Sequence, residues 1–80
     1  MAIDYARMQA NRRQQKTNLT RALNCTDTVR RKAAVLKTVA ETVAQWNDCG
    51  GVWPDDWSRW QNALDAQYVG AGYAPRLEEL

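Results

Sequence analysis

The clearest periodic pattern in the chain runs from about Thr28 to Asp48. At about 100° per residue, Val29, Ala33, Val35, Leu36, Val39, Ala40, Val43, Ala44 and Trp46 fall on one continuous arc covering roughly half of a helix. Arg30, Lys37, Thr38, Glu41 and Gln45 take the other side. An apolar face this broad predicts burial against more than one neighbour. Thr26 or Asp27 can cap its start, and Gly50-Gly51 supply its stop. Lys32 falls inside the apolar arc and is expected to run its stem along that arc to the edge.

A second pattern opens at WPDDW. Proline suits a first helical position, where its missing N–H would be unbonded anyway. The sequence therefore predicts that a helix starts at Pro54, with Asp55 and Asp56 facing the positive end of its dipole. Trp53, Trp57, Trp60, Leu64 and Tyr68 follow as one narrow stripe; Gly70 and Gly72 end it and Pro75 prevents its resumption. The tail from Tyr73 to Leu80 is expected to be irregular or a short turn.

At the chain's beginning, Tyr5, Met8, Leu19, Ala22 and Leu23 share a helical stripe whose middle is occupied by Arg12 and Gln15. Residues 11–18, NRRQQKTN, contain no apolar side chain. A single helix docking at its two ends is the preferred expectation, because Gln, Arg, Lys and Met are good helix formers. The alternative is a basic arm over residues 1–16 that orders on a partner. No segment alternates with period two, and no internal repeat is present. The expectation is a single all-α domain over residues 1–80, a small three-helix bundle with helices at about 4–24, 28–48 and 54–69.

Eighty residues bury only about 60–65% of the surface the unfolded chain exposes, which makes stability marginal. No apolar run approaches the roughly 18–20 residues of a membrane span, and the first sixteen residues contain no apolar stretch of signal-peptide type. The expected location is cytoplasmic. Cys25 and Cys49 flank the central helix, whose ends lie about 30 Å apart at 1.5 Å per residue. A disulfide needs Cα atoms within about 7 Å, so two free thiols are expected, with a bond between molecules as the alternative.

The net charge of +2 conceals an asymmetry. Residues 1–40 hold nine Lys/Arg against two acids, and residues 41–80 hold two against seven. Such a split points to a charged partner, unless the halves neutralise each other on folding or between copies. Arg30, Arg31 and Lys32 lie in the first turns of the central helix, where the dipole disfavours cations by about 0.3–1 kcal/mol each. Residues that break a local rule are candidates for function. If the first two helices are antiparallel, Arg12, Arg13, Lys16, Arg21, Arg30, Arg31 and Lys32 can form one positive surface. Trp53, Trp57, Trp60 and Tyr68 are either core or anchors for a partner.

Catalytic chemistry finds little support. The chain has no His, so the usual general base and the commonest metal ligand are missing. Two Cys alone cannot complete a structural zinc site. Asp55 and Asp56 are helix neighbours pointing about 100° apart and do not face each other. Gly50-Gly51 is followed by neither Lys-Ser nor Lys-Thr, so it makes no phosphate loop. The expectation is a non-enzymatic protein without cofactor or metal. In general style it resembles small accessory proteins of phages and mobile elements, a likeness that no specific motif carries. The leading function is an adaptor or inhibitor that binds a larger macromolecule, most readily a protein. The alternatives are a nucleic-acid-binding accessory protein using residues 7–37, and a self-assembling subunit, with a homodimer as its simplest form.

Overall fold

A computed structural model describes residues 4–80. It contains three helices, α1 (Tyr5–Leu23), α2 (Thr28–Asp48) and α3 (Trp57–Gln67), and a 3₁₀ turn at Leu77–Glu79. No strand occurs among the described residues. The protein is a small all-α three-helix bundle, as the hydrophobic pattern predicts. Among the described residues no helix is long and apolar enough to cross a membrane.

Side chains set two of the helix starts. The Asp4 carboxylate accepts the Arg7 backbone N–H at 3.0 Å, and Asp27 accepts that of Arg30 at 3.0 Å, each satisfying a donor that the helix leaves free. The end of α2 is set by glycine. Gly50 (φ 88°) donates to Asn47 O at 3.1 Å and Gly51 (φ 76°) to Trp46 O at 3.1 Å. This pair of reversed bonds is the Schellman ending, which requires left-handed backbone.

The four-residue link Asn24–Asp27 turns the chain so that α2 runs back along α1, bringing Gln15 to Gln45 and Trp46. α3 then runs antiparallel to α2, with Trp60 beside Trp46 near one end and Gln67 beside Arg31 near the other. α2 is the hub. It packs against α1, α3 and the 3₁₀ turn, while α1 and α3 approach each other only loosely. The core consists of Leu19 and Ala22 from α1, Val35, Val39, Val43 and Trp46 from α2, Trp60 and Leu64 from α3, and Leu77 from the tail. Within α2 one flank of the predicted arc is enclosed, the one that carries Val35, Val39, Val43 and Trp46. Val29 is 79% exposed, and Ala33 and Ala44 are also exposed.

Two features depart from the expected pattern. α3 starts at Trp57, three residues later than the proline suggests. Pro54 is buried, and its carbonyl accepts the Trp57 N–H at 3.1 Å in a turn that precedes the helix. Asp56 is the N-cap residue, and its side chain makes no capping bond. The tail, though irregular, is part of the core: Leu77 is fully buried. Gln61 holds it there, donating from Nε2 to Pro75 O at 2.9 Å and accepting the Leu77 N–H on Oε1 at 2.9 Å.

Candidate functional site

The seven cations expected to share one surface are divided by the fold among three situations. Arg31 and Lys32 turn inward. Arg31 Nε donates to Gln67 Oε1 at 3.0 Å and its Nη1 to Cys25 O at 3.2 Å, tying the α1–α2 link to the end of α3. Lys32 Nζ lies 4.2 Å from the centre of the Tyr68 ring, a cation–π contact that ends the run of its stem along the apolar arc. The break with helix-dipole preference thus has a structural use at Arg31 and Lys32. Arg13, Arg21 and Arg30 are exposed. Arg12 and Lys16 face the gap between α1 and α3.

This placement leaves α1 strongly basic. From Tyr5 to Leu23 it carries five Lys/Arg and no acid. Its polar side is internally tidy: Thr17 and Thr20 hydroxyls donate back to Arg13 O at 3.0 Å and Lys16 O at 2.9 Å, and Gln14 Nε2 donates to Asn18 Oδ1 at 3.0 Å. Among the described residues one ion pair forms, Lys16 Nζ to Asp56 Oδ2 at 3.9 Å. Apart from this pair, the basic and acidic halves make no ion pair with each other among the described residues.

The loose approach of α1 to α3 opens a cleft of about 210 Å³ lined by Arg12, Gln15, Lys16, Pro54, Asp55, Asp56 and Trp60. It continues along the two helices past Leu19, Thr20, Leu23 and Arg59. Its floor is fixed. Gln15 is buried, donating from Nε2 to Gln45 Oε1 at 2.6 Å and accepting the Trp46 indole N–H at 3.2 Å. Asp56, free of capping duty, turns its carboxylate to Lys16. Arg12 is half-buried, and its Nε is enclosed without a hydrogen-bond partner.

The aromatic residues form a chain from core to surface. Trp60 meets Trp46 edge-on with ring centres 5.7 Å apart, Trp46 meets Trp53 at 5.3 Å, and Trp53 meets Trp57 at 6.1 Å. Trp60 is buried, Trp53 and Tyr68 are half-buried, and Trp57 at the outer end is 40% exposed. The centre of this chain is Trp46, which belongs to the α2 arc and not to the α3 stripe. Sequence reasoning also missed Gln15 as the cleft floor, although its place in the α1 stripe was the available signal. Pro54 and Asp56 carried no comparable sign of their position.

The two thiols are free and lie at opposite ends of α2. No three His, Cys, Asp or Glu side chains gather as metal ligands among the described residues. Compared with protein families, curated proteins and solved structures, the chain matches none of them.

Proposed function

We propose that this chain is a non-enzymatic interaction module that docks its basic α1 face on an acidic surface of a larger protein, as an adaptor or inhibitor does. One observation carries the proposal: α1 carries five cations and no carboxylate, and among the described residues only Lys16 forms an ion pair. Unpaired exposed charge of one sign steers encounter with the opposite sign and speeds association. The exposed edge of Trp57 supplies an aromatic contact of the kind that anchors interfaces. The proposal takes the protein to work in the cytoplasm, where Cys25 and Cys49 stay reduced.

The test is affinity capture from a lysate of the organism that encodes the chain, with and without nuclease. A double variant, Arg13→Glu with Arg21→Glu, is run beside it. The expected result is a protein partner retained after nuclease treatment and lost with the charge-reversed variant. Capture that vanishes on nuclease treatment would assign the basic helix to nucleic acid. Capture indifferent to the charge reversal would remove α1 from the interface.

A further inference from the structure

We infer that the outer face of α2 binds a second copy of the chain, antiparallel, with Arg30 opposite Asp48 of the other copy and Lys37 opposite its Glu41. The contact is on α2 and not on α1, so it goes beyond the proposed docking of α1 and does not rest on it.

The starting point is the side of α2 that the bundle leaves open. Val39 is fully buried. At about 100° per residue, Arg30, Lys37, Glu41 and Asp48 all fall within about 20° of the line opposite it. All four are exposed, and none forms an ion pair among the described residues. Lys37 and Glu41 line one groove with Arg21, yet Glu41 pairs with neither cation. Lysine four residues before glutamate is also the weaker order for a pair within one helix.

Two cations thus precede Val39 and two carboxylates follow it, and their spacing is symmetric. Arg30 and Asp48 stand nine residues before and after Val39, and Lys37 and Glu41 two before and after. A two-fold axis at the level of Val39 sets an antiparallel copy so that every cation meets a carboxylate. Such a contact is self-complementary, and charges flanking a helix pair select its orientation and register. A parallel copy would set like charges on each other. Sliding the antiparallel copy by seven residues keeps one of the two kinds of pair, Arg30 with Glu41 or Lys37 with Asp48. Ala33 and Ala44 border the charged row and are exposed too. They lie six residues before and five after Val39, so the same axis brings Ala33 of one copy beside Ala44 of the other. Side chains this small let helices approach to the near end of the usual spacing of about 8–10 Å.

The experiment is sedimentation equilibrium on the full chain from micromolar to millimolar concentration, with circular dichroism to check that each variant is folded. The expected result is a monomer–dimer equilibrium that weakens at least threefold as ionic strength rises from about 0.01 to 0.1 M. Lys37→Glu and Glu41→Lys each set like charges opposite each other, and each should weaken the dimer at least tenfold. The double variant restores opposite charges and should return to within threefold of the parent. An equimolar mixture of the two single variants should associate more tightly than either alone. Arg13→Glu, on α1, should leave the equilibrium unchanged. A parent chain that stays monomeric at millimolar concentration would overturn the inference. So would a dimer indifferent to the single variants, or a double variant no tighter than the singles, because either would place the contact on another face or in another register.

Discussion

Replacing Gln61 with alanine should detach the C-terminal tail from the bundle. The side chain is buried, and its amide makes three bonds: to Asp65 Oδ1, to Pro75 O and from the Leu77 N–H. Without it the chain has two options. If the tail stays docked, the Leu77 N–H and the Pro75 carbonyl lose their partners at about 1–3 kcal/mol each. If the tail peels away, water satisfies both groups, but the burial of Leu77 is forfeited, about 1.5–3 kcal/mol. The released residues regain conformational entropy that offsets part of that loss. The protein takes the cheaper route, so the cost of Q61A is capped near that of undocking, at most about 1.5–3 kcal/mol. An 80-residue domain has a total stability of only about 4–12 kcal/mol, so the loss is large.

The same ceiling governs Leu77→Ala, which in a rigid core would cost about 2–5 kcal/mol. The double variant should therefore be scarcely worse than the more damaging single, a non-additivity on the order of 1–2 kcal/mol. Urea unfolding followed by tryptophan fluorescence gives the energies. Hydrogen exchange at the Leu77 amide reports whether the tail is docked. A Q61A variant within about 0.5 kcal/mol of the parent, the usual range for an inconsequential surface change, with its Leu77 amide still protected, would refute the argument.

Arg31→Lys should destabilise by about 1–2 kcal/mol, because an ammonium cannot reach both Gln67 and the Cys25 carbonyl as the fork does; Arg30→Ala should stay within about 0.5 kcal/mol, and urea midpoints compare the two. Gly50→Ala should cost about 1–2 kcal/mol by chemical denaturation, all of it from the left-handed backbone (φ 88°), since nothing lies within 4 Å of the added methyl. The Tyr73 phenol ionises above its ordinary range because it donates to Glu79 at 3.2 Å and faces that carboxylate's charge. Glu79→Gln should lower it, as read from the Tyr73 ring carbon shift against pH. A raised phenol pKa in the folded state favours folding below the ordinary range, and this is lost as pH climbs through the raised value. Tyr73 is exposed, so only the titration is expected to move.

Much of the fold is written in local signals. The bounds of α2 follow from Asp27 at one end and the paired glycines at the other, both of which act through their own backbone neighbourhood. The α1 stripe was legible too, including its polar middle. Gln15 holds a core position because Gln45 and Trp46 satisfy its amide, a partnership that no periodicity reveals. Leu77 was illegible for another reason: it is one apolar residue in a polar tail, recruited by an amide sixteen residues away. The late start of α3 is a tertiary override. Pro54 has the right local chemistry for a first helical position, but the chain buries it at the wall of the cleft beside α1 and brings Trp53 back onto Trp46. For the candidate site, composition located the cations but not their uses. Lys32 was legible from its place inside the apolar arc, whereas the inward turn of Arg31 depends on Gln67 and the Cys25 carbonyl, partners that only the fold brings to it.

Charge that does not pair within the fold leaves a thermodynamic trace. On α1, Arg12 and Lys16 are four residues apart and Arg13 and Lys16 three apart, spacings at which like charges cost about 0.2–0.5 kcal/mol each. Against this stands one exposed ion pair, Lys16 with Asp56, worth at most about 1 kcal/mol and usually less. Repulsion and attraction are thus of similar size, and the longer-range field of the remaining α1 cations adds to the repulsion. Raising ionic strength from about 0.01 to 0.1 M shortens the Debye length from about 30 to 10 Å. That screens the spread-out repulsion more than a contact pair. The urea midpoint should therefore hold or rise slightly with sodium chloride over this range, while association with an acidic partner weakens over the same range. Opposite signs in the two measurements would mean that α1 keeps its charge for something outside the molecule. A midpoint that falls as salt is added would mean that the basic and acidic halves satisfy each other within one chain, and the basic helix would then have no charge to spare for a partner.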